Sequence, residues 1–121
     1  MEEVTLFDAD GNPVAYIAPD DENTIYLWSG KPIAYLDGED VYGFNGKHLG
    51  WFEEGIIWDH DGNRAGFIES TLPVFAKLEP FKAFKEFKPF KAFKEFAPFE
   101  PFKSTSVSKT PLSIFLSMGV E

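Results

Sequence analysis

From Phe75 to Phe102 an apolar residue falls at every third position without a miss. The series is Phe75, Leu78, Phe81, Phe84, Phe87, Phe90, Phe93, Phe96, Phe99 and Phe102. Few backbones place every third side chain on one face. An α-helix turns through 3.6 residues, so a strict three-residue stripe winds around it. A strand alternates with period two and would scatter the stripe over both faces. Prolines at 80, 89, 98 and 101 remove backbone donors and oppose helix. A 3₁₀-helix has the period but is rarely long. Polyproline II has three residues per turn and no internal hydrogen bonds, and it fits best.

The other two phases of the tract are equally regular. One is Lys82, Lys85, Lys88, Lys91 and Lys94, then Ala97, Glu100 and Lys103. The other is Ala83, Glu86, Pro89, Ala92, Glu95, Pro98 and Pro101. Within it FKAFKEFKP is followed by its near copy FKAFKEFAP.

Residues 6–68 carry a different repeat, four twelve-residue blocks starting at Leu6, Ile25, Val41 and Ile57. Each opens with an aliphatic residue and an aromatic (Phe7, Tyr26, Tyr42, Trp58) and has glycine at its sixth place (Gly11, Gly30, Gly46, Gly62). Asp10-Gly11, Ser29-Gly30, Asn45-Gly46 and Asp61-Gly62 are turn dipeptides, since glycine takes positive φ without steric cost. Aromatic and β-branched flanks suit a pleated surface, so each block predicts a β-hairpin. Block starts lie 19, 16 and 16 residues apart, too close for an intervening helix. A lone hairpin is marginal in water, so four in tandem are expected to close into a pseudo-fourfold ring of eight strands. The expected core is Tyr16, Tyr35, Trp51 and Phe67, backed by Val14, Ile33, Leu49 and Ala65. The small residues Ala15, Ala34, Gly50 and Gly66 suggest close approach near a common axis.

Four such hairpins followed by a Pro-containing tail of period three resemble the four-fold beta-flower domain of bacterial proteins. The resemblance covers residues 4–70, and the tail by period more than by residue type. It implies an all-β fold and neither an activity nor catalytic residues. The chain is accordingly divided into a β domain (1–71), a Phe/Lys/Pro tail (72–103) and a linker with a short docking segment (104–121). The last reads as a short helix or strand docking onto a head, its own or a neighbour's, and a Thr110 cap with Pro111 as first helical residue would favour helix.

Charge divides the same way. The first 71 residues have three basic residues against fifteen carboxylates, a net of −12, while the remainder nets +3. So acidic a head argues against nucleic-acid binding. No cysteine is present, which excludes disulfides and thiolate metal sites. The first residues show neither the basic nor the apolar part of a secretion signal, and cytoplasmic residence is the default.

Chemistry is sparse. Asp8-Ala9-Asp10-Gly11-Asn12 and Asp59-His60-Asp61-Gly62-Asn63 look like calcium-loop fragments, but both sit where the repeat requires a turn. His48 stands where two other blocks have proline, which reads as a surface substitution. It could pair with His60 as metal ligands only if the ring joined their turns. No nucleophile or phosphate-loop motif is present, so no enzyme, no cofactor and no metal site is expected.

The interaction residues are then Phe81, Phe84, Phe87, Phe90, Phe93, Phe96, Phe99 and Phe102. As polyproline II the tract spans roughly 85 Å, against about 30 Å for the head. A straight rod cannot hide its stripe on its own head. It could curl round the head, lie on a membrane or partner protein, or bundle with other tails. We expect bundling, Phe inward and Lys and Glu outward, with heads displayed on a multi-chain stalk. The expected function is a homo-oligomeric assembly or binding module. The alternatives are a peripheral membrane protein that uses the Phe/Lys tail, or a β-ring that binds a small ligand among its aromatics.

Overall fold

A computed structural model describes residues 2–120. Eight strands run β1 (Val4–Phe7), β2 (Pro13–Ile17), β3 (Thr24–Leu27), β4 (Pro32–Asp37), β5 (Asp40–Gly43), β6 (His48–Glu53), β7 (Ile56–Trp58) and β8 (Arg64–Phe67). They form a closed antiparallel barrel in sequence order, with Phe7 against Phe67 joining β8 to β1. The tight turns fall at the glycines of the repeat, whose φ angles lie between 81° and 92°. Each of the four tight pairs shifts register by one residue next to its turn, at Leu6/Phe7, Ile25/Tyr26, Val41/Tyr42 and Ile57/Trp58. The extra residue sharpens the twist, as a bulge does. Among the described residues no helix is long and apolar enough to cross a membrane.

The last segment forms α1 (Leu112–Ser117), and it plugs the barrel. Leu112, Phe115 and Leu116 are at most 1% exposed and join one cluster with Leu6, Ile25, Val41 and Ile57. The small tenth-position residues make room for it. A Cβ on Gly66 would meet Leu112, and one on Gly50 would meet Phe115. The expected close approach near the axis is therefore real: Gly50 lies against the Trp58 carbonyl of the neighbouring hairpin as well as Phe115, and Gly66 against the helix. Its N-cap is Pro111, without a side-chain cap bond, so Thr110 does not play the expected capping role. Thr110 instead donates its backbone N–H to Ser108 Oγ.

The four aromatics expected in the core are buried, at 1–3% exposure, though not at the barrel's centre. Tyr16, Tyr35, Trp51 and Phe67 are buried, but outside the barrel, in aromatic clusters at the seams between hairpins. Tyr16 packs on Tyr26 with centroids 5.8 Å apart, and Tyr35 on Tyr42 at 6.1 Å. Alternation along a strand assigns two faces without saying which is inner. Here the inner face is aliphatic because α1 fills the centre, and the aromatics went outward.

Candidate interaction surface

The tail does not leave the barrel. It passes the four tight turns in order, at nine-residue intervals, and bonds to each in the same way. The N–H groups of Lys77, Glu86, Glu95 and Ser104 donate to the carbonyls of Gly11, Gly30, Gly46 and Gly62, all at 2.9 Å. A Cβ on any of these glycines would collide with the carbonyl of Phe75, Phe84, Phe93 or Phe102 respectively. Glycine thus serves twice, for the turn and for the passage of the tail. Ala83 and Ala92 add bonds to the Trp28 and Phe44 carbonyls, at 2.9 and 2.8 Å. The outer seams that would otherwise be open are covered by this strap.

The lysine phase faces the ring. Lys82 and Lys85 reach Glu3, Lys91 reaches Glu22, and Lys94 reaches Asp37 at 2.6 Å. Lys88 bonds Glu22 at 2.9 Å, and Lys103 bonds Glu53. The same cations roof the aromatic seams. Lys82 lies 4.8 Å from the Tyr16 ring, Lys91 4.5 Å from Tyr35 and Lys103 5.4 Å from Trp58. These are cation–π distances. Hydrogen bonds from Lys82, Lys91 and Lys103 hold the Glu3, Glu22 and Glu53 carboxyls below the usual range.

That leaves the phenylalanines outside. Phe81, Phe84, Phe87, Phe90, Phe93, Phe96, Phe99 and Phe102 are 98–101% exposed, as are Phe75 and Leu78 nearly so. Within the chain the lysines do not face outward as expected of a stalk: their partners are the ring's own carboxylates. Of the arrangements open to the sequence, the tail takes the curled one, with its greasy edge turned away from the head. The opposite net charges of head and tail allow such attraction within a chain or between chains; which lysine meets which acid is what the fold adds. The signal for these contacts lay in the nine-residue duplication at 81–98, whose period matches the passage of the tail from one turn to the next.

The other candidates resolve locally. Asp8 Oδ1 accepts the N–H groups of Asp10 and Asn12, and Asp59 Oδ1 those of Asp61 and Asn63. Both Asp-Gly-Asn motifs are self-capping turns. His48 is 3% exposed, not a surface residue. Its ring does meet His60, Nδ1 to Nε2 at 3.0 Å, and Asp40 holds its Nε2 at 3.0 Å. The planes are 16° apart with centroids separated by 5.2 Å, so the rings lie edge to edge in a hydrogen-bonded chain. With Asp40 accepting from Nε2, His48 Nδ1 is left to accept from His60. Burial, then the neighbouring His48, pushes His60 below the usual imidazole value. The barrel centre, where a ligand pocket among aromatics was the alternative, is filled by α1 and lined by aliphatic residues.

Comparison with known proteins agrees with this architecture. A family model described as 4-fold beta flower protein matches residues 4–116. No curated protein and no solved structure matches.

Proposed function

The chain belongs to the 4-fold beta flower family, a name that carries a fold and no activity, and we propose that this member is a non-enzymatic assembly module. It associates with further copies of itself through the phenylalanine belt, whose three-residue rhythm is that of polyproline II. The carrying observation is ten apolar side chains, Phe75 to Phe102, each at least 96% exposed. At about 150 Å² or more apiece they present roughly 1,500 Å². The largest apolar patch on an ordinary monomer is about 300–600 Å². A standard interface takes about 800 Å² from each partner, so the belt has area for about two neighbours. Because it visits all four turns, one two-fold contact leaves much of it bare, which favours extended association.

A membrane fits less well. Aromatic anchors at a bilayer work beside lysines that snorkel to anionic headgroups. Here Lys82, Lys85, Lys88, Lys91, Lys94 and Lys103 are turned to the ring's acids, on a chain of net charge −9.

Removing the tail would also uncover the aromatic seams and unplug the barrel, so the test keeps the full chain. Light scattering after size exclusion should give masses above 13.7 kDa that grow with concentration. They should grow with salt as well, which screens repulsion between like-charged copies. Changing Phe84, Phe87, Phe90 and Phe93 to Ser should return a folded monomer. A wild-type chain that stays monomeric at every concentration, or co-sediments with neutral vesicles instead, would defeat the reading.

A further inference from the structure

The strap repeats every nine residues, and one repeat breaks its own rule. Residues 82, 91 and 100 are equivalent in the tail. Lys82 meets Glu3 just before β1, and Lys91 meets Glu22 just before β3. At the third seam the acid just before β5 is Glu39, and the tail offers Glu100. Glu53, at the end of β6, completes the group, and one carboxylate oxygen from each of the three lies within 4.8 Å of the others. Lys103 engages Glu53 Oε1 and lies 3.5 Å from Glu54. One lysine therefore stands among four carboxylates.

Glu53 carries the second observation. Its side chain is only 10% exposed, and its Oε2 is buried without a hydrogen-bond partner. An ionised Glu100 has no hydrogen to give it. A buried, unsatisfied charged oxygen is costly unless a cation or proton meets it.

We propose that Glu39, Glu53 and Glu100 form a divalent-cation site of the calcium class, in which the ion takes the place that the lysine ammonium holds at the other two seams. The chemistry matches: hard oxygen donors from three separate elements, with room for water because Glu39 and Glu100 are exposed. Calcium accepts 6–8 such oxygens in loose geometry, whereas magnesium demands a near-ideal octahedron. With two exposed ligands and Lys103 nearby, the affinity belongs to the weak class, Kd on the order of 10⁻⁴–10⁻³ M. The bound ion clips the strap to the ring between its third and fourth turn contacts. This proposal is independent of whether the belt self-associates.

The test is thermal unfolding of chelator-treated full-length protein in CaCl2, in MgCl2, and in NaCl of matched ionic strength, with calorimetric titration of CaCl2. Calcium at ten times its Kd should raise Tm by about 5 °C, with one ion bound per chain and magnesium weaker. Glu100→Lys, which restores the repeat, should abolish the calcium response. Glu39→Gln, at an exposed position, should weaken calcium about tenfold. The proposal is overturned if calcium does no more than sodium chloride, or if Glu100→Lys responds like wild type. It is equally overturned if Glu100→Gln raises Tm while wild type binds no calcium, because a shared proton then fills the place.

Discussion

Phe115 and Phe84 are the same side chain with opposite fates, 1% and 98% exposed. Phe115 sits on a short helix that reaches the barrel centre, where it meets aliphatic side chains and the bare backbone of Gly50. Phe84 sits on a strap whose backbone is bonded to a turn and whose other phase is occupied by ion pairs. Hydrophobicity favours burying both. In the strap it is outvoted, because turning the phenylalanines inward would leave Glu3, Glu22 and Asp37 without their lysines, and would send lysine away from tyrosine. The lesson is that the partner surface decides which phase of a periodic tract is buried. The apolar phase left outside is then available to something beyond the chain.

The contrast can be broken most forcefully at its buried end. Phe115→Ala should cost about 3–5 kcal/mol in urea unfolding, because the hole forms in a packed barrel. Phe84→Ala in the same monomeric conditions should change stability by no more than about 0.5 kcal/mol. Similar losses in both would mean that Phe84 is covered within the chain.

Next in size is the strap's anchor. Gly30→Ala and Gly46→Ala place a Cβ at positive φ (92° and 89°) against the carbonyls of Phe84 and Phe93. Each should lose about 1–3 kcal/mol and open the neighbouring strap to limited proteolysis, whereas Gly38→Ala, also at positive φ (61°), meets no atom within 4 Å and should leave the strap closed. Intact straps in both anchor variants would remove glycine from the account.

The smallest expected effect is acid release of the strap. Glu3, Glu22 and Glu53 have folded values held below the ordinary one by their lysines. Their contribution is complete above the unfolded value of about 4.3 and disappears as pH falls through the lower folded values. Glu100 has the opposite sign: the hydrogen bond that its protonated carboxyl gives Glu53 raises its value, so protonation favours the folded chain as pH falls toward it. Proteolysis of the tail in calcium-free buffer should therefore accelerate only below about pH 4, and in the same buffer a Glu100→Gln chain should hold its strap better at neutral pH than wild type does.

Much of this molecule was legible in its residues. Glycine at the sixth place, flanked by aromatic and aliphatic runs, specifies tight turns and paired strands through steric rules that act over a few residues. The period of the tail excludes helix and sheet by the same kind of local argument. The end of the chain reads as a docking segment from its apolar run after the serine-rich linker. The burial of Tyr16, Tyr35, Trp51 and Phe67 was legible, but not their place outside the barrel, because alternation is blind to which face closes inward. His48 failed because its burial comes from His60 and Asp40, which lie on other elements. The cluster at Glu39, Glu53 and Glu100 was invisible because its members are far apart in the chain.

What the chain determined unaided was its set of local conformations: four glycine turns, eight short strands, and an extended tract of period three. Those depend on φ, ψ and side-chain shape within a few residues. Only the tertiary structure decided that the helix plugs the barrel, that lysine rather than phenylalanine faces the ring, and that three glutamates meet at one seam. Each of those is set by charge pairing and close packing between distant residues, which have no local signature.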